Sequence, residues 1–224
     1  MSKVNVLIVE DEPLIINSLE HIFGHLSNIS SKLDFKIQSS RDCDSALLEI
    51  NKAVKGTPLD LVLLDINIPA SKCKELLSGE DLGIELKNTF PDVKIIVFTS
   101  HQDNYRLNNI LQNLDPDGFI IKNEVGFNDI MKAISKVLTN PPYYSDRVLK
   151  LIRRHVSNEV VLDKIDRQLL YLLSKGTKTK DIPDYIRLSK SGVERRKRNL
   201  KEIFQIENKE DKVLLEIAIE KGFI

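Results

Sequence analysis

The sequence predicts an α/β protein: a doubly wound, five-stranded parallel sheet followed by a smaller all-α unit of four helices around a helix-turn-helix. Two observations lead there. Within residues 1–138, five short apolar runs alternate with segments of helical periodicity. Strict alternation requires right-handed crossovers, which cover a parallel sheet with helices on both faces. Beyond residue 138 the strand pattern stops and the charge changes sign. Residues 1–138 hold 14 Lys and Arg against 20 Asp and Glu, while residues 139–224 hold 19 against 13. An acidic front and a basic back divide the labour, the back being better suited to a polyanionic partner.

The strands are read at 4–9 (VNVLIV), 35–40 (FKIQSS), 59–65 (LDLVLLD), 93–100 (VKIIVFTS) and 117–122 (DGFIIK). The third is apolar without alternation, as a strand buried on both faces requires. Between them lie helical patterns. PLIINSLEHIFGHL begins with Pro in its first turn and repeats apolar residues at 15, 19, 22, 23 and 26. DCDSALLEINKAV, DLGIELKNTF, NYRLNNILQNL and FNDIMKAISKVL supply the other crossovers. TNPPYYSD (139–146) carries two prolines and closes the first domain, 1–138. A linker with a short amphipathic helix, DRVLKLIRRHV, occupies 139–161. The helices of 162–224 are DKIDRQLLYLLSKG, ended by Gly176, then TKDIPDYIRL, KSGVERRKRNLKEIFQI capped by Ser189, and KEDKVLLEIAIEKG.

Composition excludes several classes. The 224 residues carry no net charge and only two cysteines, Cys43 and Cys73, which are not spaced as a metal site or disulfide framework. No stretch reaches about 18 apolar residues, and VNVLIV is too short for a signal peptide core. A soluble cytoplasmic protein without a membrane partner is expected. His21 and His25 share a helix face at i, i+4, a spacing that a metal could use, but no third ligand accompanies them in sequence.

In such sheets, sites form at the carboxyl ends of the strands. Here the first strand stops on Glu10-Asp11, the third on Asp65, the fourth on Thr99-Ser100 and the fifth on Lys122. Each alone is an ordinary solvated strand end. One topology would gather all four at a single edge, where three carboxylates repel one another unless a cation shares the site. Hard oxygen donors with open positions suit Mg²⁺.

These residues make the front of the chain resemble a receiver domain of a two-component response regulator, a flavodoxin-like fold. The matching features are Glu10-Asp11, Asp65 in LLDINIP with Pro69 four residues on, Thr99 in IIVFTS, and Lys122 in GFIIK preceded by Phe119. The resemblance implies that Asp65 is an exposed, reactive phospho-acceptor served by a histidine kinase. It implies Mg²⁺ held by Glu10, Asp11, Asp65 and the backbone carbonyl of Asn67, with Thr99 and Lys122 binding phosphate. Phe119 would turn inward on phosphorylation. No enzymatic activity is implied beyond self-phosphorylation and slow self-dephosphorylation at Asp65. One departure is an insertion of about ten residues around 70–82 before the family's glycine, read here as Gly83. Loops of that length are often functional.

Residues 162–224 resemble the LuxR/NarL-type helix-turn-helix domain through LLSKG, KDIPDYIRLS and SGV. That implies double-stranded DNA as a partner, read by Lys190, Val193, Glu194, Arg195, Arg196, Lys197 and Arg198. It also implies a homodimer, at least when phosphorylated, with Val213, Leu214, Ile217 and Ala218 available to form it. Glu194 stands where the family carries a basic residue, and Gly192 where it carries a hydroxyl. The expected function is a response regulator controlling transcription. Two other readings stay open: a phospho-controlled adaptor whose basic helix binds protein, and an Asp-nucleophile phosphohydrolase. The second needs an acid two residues after the nucleophile, where this chain has Asn67.

Overall fold

The computed structural model describes residues 2–29, 33–72, 76–157, 162–207, 210–221 and 223–224. The chain divides into two compact units, Met1–His101 with Ile110–Val148, and Gln102–Asn109 with Leu149–Ile224. No helix among the described residues is long and apolar enough to cross a membrane.

The first unit is built on β1 (Ser2–Val9), β2 (Leu33–Ser40), β3 (Leu61–Leu64), β4 (Lys94–Thr99), β5 (Gly118–Ile121) and β6 (Tyr143–Tyr144). Its strand order is β2-β1-β3-β4-β5-β6, and every pairing is parallel. Its helices are α1 (Pro13–Ile29), α2 (Cys43–Lys55), α3 (Gly79–Thr89) and α5 (Phe127–Thr139), while α4 (Asn104–Leu114) begins in the second unit and ends in the first. On one face of the sheet, Val6, Ile8, Leu61, Leu63, Ile96, Phe98 and Ile120 pack with Leu19 and Phe23 of α1 and with Ala133, Ile134 and Val137 of α5. The intervening residues Leu7, Val9, Val62, Leu64, Ile95 and Val97 are equally buried, because alternate side chains point to opposite faces. All four residues of β3 are buried, as its uninterrupted apolar run requires.

The sheet has six strands rather than the expected five. The sixth comes from the Tyr-Tyr of TNPPYYSD, which read as a domain end. Two residues carry no periodicity of their own; their strand exists because β5 supplies partners. Tyr143 N–H donates to Asp117 O at 3.0 Å and Ser145 N–H to Phe119 O at 2.9 Å, so the chain leaving α5 lies along the edge of β5.

The glycine that approaches the phospho-acceptor candidate is Gly79, not Gly83. A Cβ at Gly79 would lie 1.9 Å from the Asp65 carbonyl oxygen, whereas one at Gly83 would meet the Leu114 and Leu64 side chains. The Gly79 N–H donates to Ile66 O at 3.1 Å, which closes α3 onto the end of β3. The intervening loop is tied down at both ends. Cys43 N–H donates to Pro69 O, Ser71 N–H to Leu76 O, and Lys72 N–H to the Asp44 carboxylate. Residues 73–75 of the insertion, including Cys73, lie outside the described residues.

The second unit contains α6 (Asp146–Ser157), which begins in the first unit, and α7 (Lys164–Ser174), α8 (Lys190–Ile203) and α9 (Asp211–Glu220). Leu169, Leu170, Ile182, Ile186, Val193, Leu200, Phe204, Leu214 and Ala218 form its core. TKDIPDYIRL yields only one 3-10 turn, Ile182–Asp184, not a full helix. Pro183 lacks an amide hydrogen, which a first turn tolerates but an extended helix does not. Gly176 ends the turn after α7 at φ +79°, a conformation that other residues rarely adopt. The Ser189 hydroxyl caps α8 by accepting from Gly192 N–H at 3.2 Å. Leu214 and Ala218 are consumed by this core, so they are not free to form a dimer seam.

Arg196 pins α8 to the start of α7. Its guanidinium lies 2.7 Å from both Asp163 and Asp166. Burial pushes the Asp166 carboxyl up. At Asp163 burial acts the same way, but the Asp166 amide and the Arg196 guanidinium outweigh it and hold the group low.

Gly79→Ala is expected to destabilise the first unit by about 2 kcal/mol through overpacking against Asp65. Gly24→Ala, on an open helix surface with nothing within 4 Å, is expected to stabilise it by about 0.5–1 kcal/mol. Urea denaturation of the two variants checks the opposite signs. Arg196→Ala leaves the mostly buried Asp166 without its cation and is expected to cost the helical unit about 1–2 kcal/mol, read as an earlier loss of helical signal.

Candidate functional site

Register alone brings the acids together. Val9 pairs with Leu64 across β1 and β3, so the next residues, Glu10 and Asp65, emerge side by side. The ladder continues past the strands: Glu10 N–H donates to Ser40 O and Asp65 N–H to Val9 O, both at 2.9 Å. Asp11 follows on the loop into α1. Carboxylate oxygens of Glu10, Asp11 and Asp65 all lie within 4.8 Å of one another, and they are the one such group of three or more metal-ligand side chains among the described residues.

Lys122 completes the cluster from the end of β5. Its ammonium lies 2.7 Å from Asp65 Oδ2 and 2.6 Å from Glu10 Oε2, and 5.5 Å from the centre of the Phe98 ring. Burial alone would lower the lysine's pKa, but hydrogen bonds to Asp65 and Glu10 raise it. Glu10 responds the other way. Desolvation outweighs the attraction of Lys122 and pushes its carboxyl up to about 7, with Asp65 adding repulsion. Three carboxylates against one ammonium leave two negative charges uncompensated. The donor set therefore fits a divalent cation with oxygen preference, and the cluster could hold a metal ion.

Asp65 is not exposed as the sequence implied. It retains 4 % of its surface, and Glu10 retains 1 %; only Asp11 faces solvent. Lys122 lies against its carboxylate, and the Gly79 backbone approaches its carbonyl. The Asn67 N–H donates to Asp65 Oδ1 at 3.0 Å, fixing the carboxylate from the loop side.

Thr99 is fully buried at the end of β4, and its hydroxyl accepts from His101 N–H at 3.2 Å. Thr99 pairs with Ile121, so it lies one residue from Lys122 across the sheet. Phe119 is also fully buried; no inward rotation is needed to bring its ring inside. Its carbonyl receives the Ser145 N–H, a link that no sequence pattern announced. His21 and His25 stand apart from this cluster on α1, and His25 meets the edge of Phe127 at 5.6 Å.

The basic helix α8 sorts into two sets. Lys190, Glu194, Arg195 and Arg198 are exposed. Val193, grouped with them from the sequence, is fully buried core. Lys197 is 9 % exposed and holds Asp211 at 2.7 Å and the Thr179 hydroxyl at 3.0 Å, while Arg196 is bound to Asp163 and Asp166. Val193 and Lys197 build the unit and are not available to a ligand, while Arg196 is half-buried with one guanidinium nitrogen engaged by both acids. The engagement of Arg196 and Lys197 was invisible in the sequence because Asp163, Asp166 and Asp211 lie far from them along the chain.

Comparison with known proteins agrees with this geometry. The transcriptional regulatory protein MctR of Rhizobium johnstonii is 24% identical over 202 residues, covering 89% of this chain and 86% of its own length. The oxygen regulatory protein NreC of Staphylococcus carnosus is 24% identical over 177 residues, covering 74% of this chain and 77% of its own. The structure of RcsB from Salmonella enterica serovar Typhimurium, bound to a promoter in the presence of the phosphomimetic BeF3⁻, superposes with a TM-score of 0.63. It is 18% identical and covers 98% of this chain and 99% of its own. Residues 6–135 match the response regulator receiver domain. With the acid cluster, the threonine and the lysine at the ends of one parallel sheet, this chain belongs to the response regulator receiver family and is a response regulator of a two-component system.

Proposed function

We propose that Asp65 accepts a phosphoryl group from a histidine kinase and that residues 162–224 form a LuxR/NarL-type domain which binds double-stranded DNA in response. The observation that carries the first part is Lys122, clamped at 2.7 Å and 2.6 Å between Asp65 and Glu10 beside the exposed Asp11. Glu10, Asp11, Asp65 and the backbone carbonyl of Asn67 would hold Mg²⁺, which when bound neutralises charge on the phosphoryl oxygens. In the transfer, an Asp65 oxygen forms the new bond to phosphorus as the bond to the kinase imidazole breaks. Lys122 exchanges its contact with the Asp65 carboxylate for one with a phosphoryl oxygen, and the Thr99 hydroxyl donates to another. Asn67 N–H keeps the second Asp65 oxygen in place throughout.

The second part is supported by the exposed Lys190, Arg195 and Arg198 on α8, and by the similarity to MctR, a transcriptional regulatory protein. Phosphorylation would raise the population of a DNA-binding homodimer, acting only through differential stability of the two states. Beyond its own phosphorylation and dephosphorylation the chain needs no enzymatic activity.

Asp65→Ala is expected to abolish labelling by a small phosphodonor such as acetyl phosphate, measured as the mass gain of the intact protein. Labelling retained at another residue would reject the assignment. Arg195→Ala and Arg198→Ala are each expected to weaken DNA binding by about 1–3 kcal/mol if they reach bases, or to lower the salt slope by about one if they reach phosphates. Titrations at several salt concentrations check this, and unchanged binding in both variants would overturn the docking through α8.

A further inference from the structure

On α8 the outward face runs through Ser191, Glu194, Arg195, Arg198 and Glu202, all exposed, at the spacing of one side of an α-helix. With Lys197 buried and Arg196 half-buried against Asp163 and Asp166, the first turns of this helix present the cations Lys190, Arg195 and Arg198 and one acceptor carboxylate. The acceptor is Glu194, whose side chain is 52 % exposed. Among the described residues its one ion-pair contact is Lys197 at 3.8 Å, and that ammonium already lies 2.7 Å from Asp211 and 3.0 Å from Thr179. Glu194 is therefore a carboxylate without a short ion pair among the described residues, in the first turns of a helix that would approach a polyanion.

Such a group is costly unless it meets a donor. An ionised carboxylate only accepts hydrogen bonds. In the major groove guanine offers N7 and O6, both acceptors, and thymine offers O4, also an acceptor. Adenine offers its N6 amino group beside the N7 acceptor, which would face the second carboxylate oxygen. Cytosine alone presents its N4 amino group without a neighbouring acceptor on the same base. The guanidinium groups of Arg195 and Arg198 have the opposite requirement and match guanine O6 and N7.

Resting on the DNA-binding reading above, we propose that Glu194 determines specificity: it selects cytosine at one position of each half-site, with Arg195 or Arg198 reading guanine in a neighbouring pair. The negative charge that weakens non-specific attraction becomes the feature that rejects guanine and thymine. A desolvated acceptor opposite an acceptor is penalised more than a correct contact is rewarded.

The test is selection from a random-sequence duplex library with the full chain, as wild type, Glu194→Gln and Glu194→Ala, followed by sequencing of what is retained. Wild type is expected to enrich a two-fold related site with cytosine favoured roughly tenfold at one position of each half. Glu194→Gln should keep the rest of the site and shift that position to adenine, because a carboxamide matches N6 and N7 together. Glu194→Ala should accept all four bases there. If both variants retain the wild-type preference, or merely bind every sequence more tightly, Glu194 is a surface charge and the proposal fails while DNA binding stands. If wild type enriches no site, the DNA-binding reading itself falls and the proposal with it.

Discussion

The first unit depends on a single electrostatic constraint: a lysine ammonium that is 7 % exposed, held between two carboxylates that are more buried still. None of the three could be placed there alone, since an isolated buried charge costs several kcal/mol. Together they are tolerated because each supplies the partner the others need. The arrangement stays incomplete, with one acid too many even after Asp11 is left to solvent. The Glu10 carboxyl is raised to about 7 chiefly by its burial, and the neighbouring Asp65 adds to the shift. A cluster of carboxylates so short of positive charge could hold a metal ion.

The sheet makes this possible cheaply. Parallel pairing fixes Val9 opposite Leu64 and Thr99 opposite Ile121, so the chemistry is delivered by whichever residue follows each strand. Rigid strands behind the site restrict the motion of Asp65, and the close approach of Gly79 to its carbonyl fixes the backbone as well. The same logic in reverse operates in the helical unit. There Arg196 and Lys197 are cations used as structure, bound to Asp163, Asp166 and Asp211, and Lys190, Glu194, Arg195 and Arg198 are the charges exposed on α8's first turns.

The acids, Thr99 and Lys122 were legible in the sequence because strand ends can be located from apolar runs, and topology does the rest. β6 was not legible, since a two-residue strand has no period and its partner, β5, is twenty-odd residues away. Gly79 was passed over for Gly83 because spacing alone cannot say which glycine meets a carbonyl. On α8, counting charges overstated the contact surface. Val193 belonged to the core by its helical spacing, and the charges of Arg196 and Lys197 were already engaged by acids distant in sequence. The burial of Asp65 was missed for a related reason: exposure depends on the lysine that folds over it, and a sequence does not say where a lysine's long side chain will lie.

The most direct test of the central claim is to locate the phosphoryl group itself. The full chain would be treated with acetyl phosphate with and without Mg²⁺, reduced with borohydride to convert any acyl phosphate to a stable alcohol, and mapped by peptide mass spectrometry. Reduction at Asp65 alone, dependent on Mg²⁺, is the predicted result. Modification at another residue, or labelling of Asp65 that is indifferent to Mg²⁺, would contradict the account.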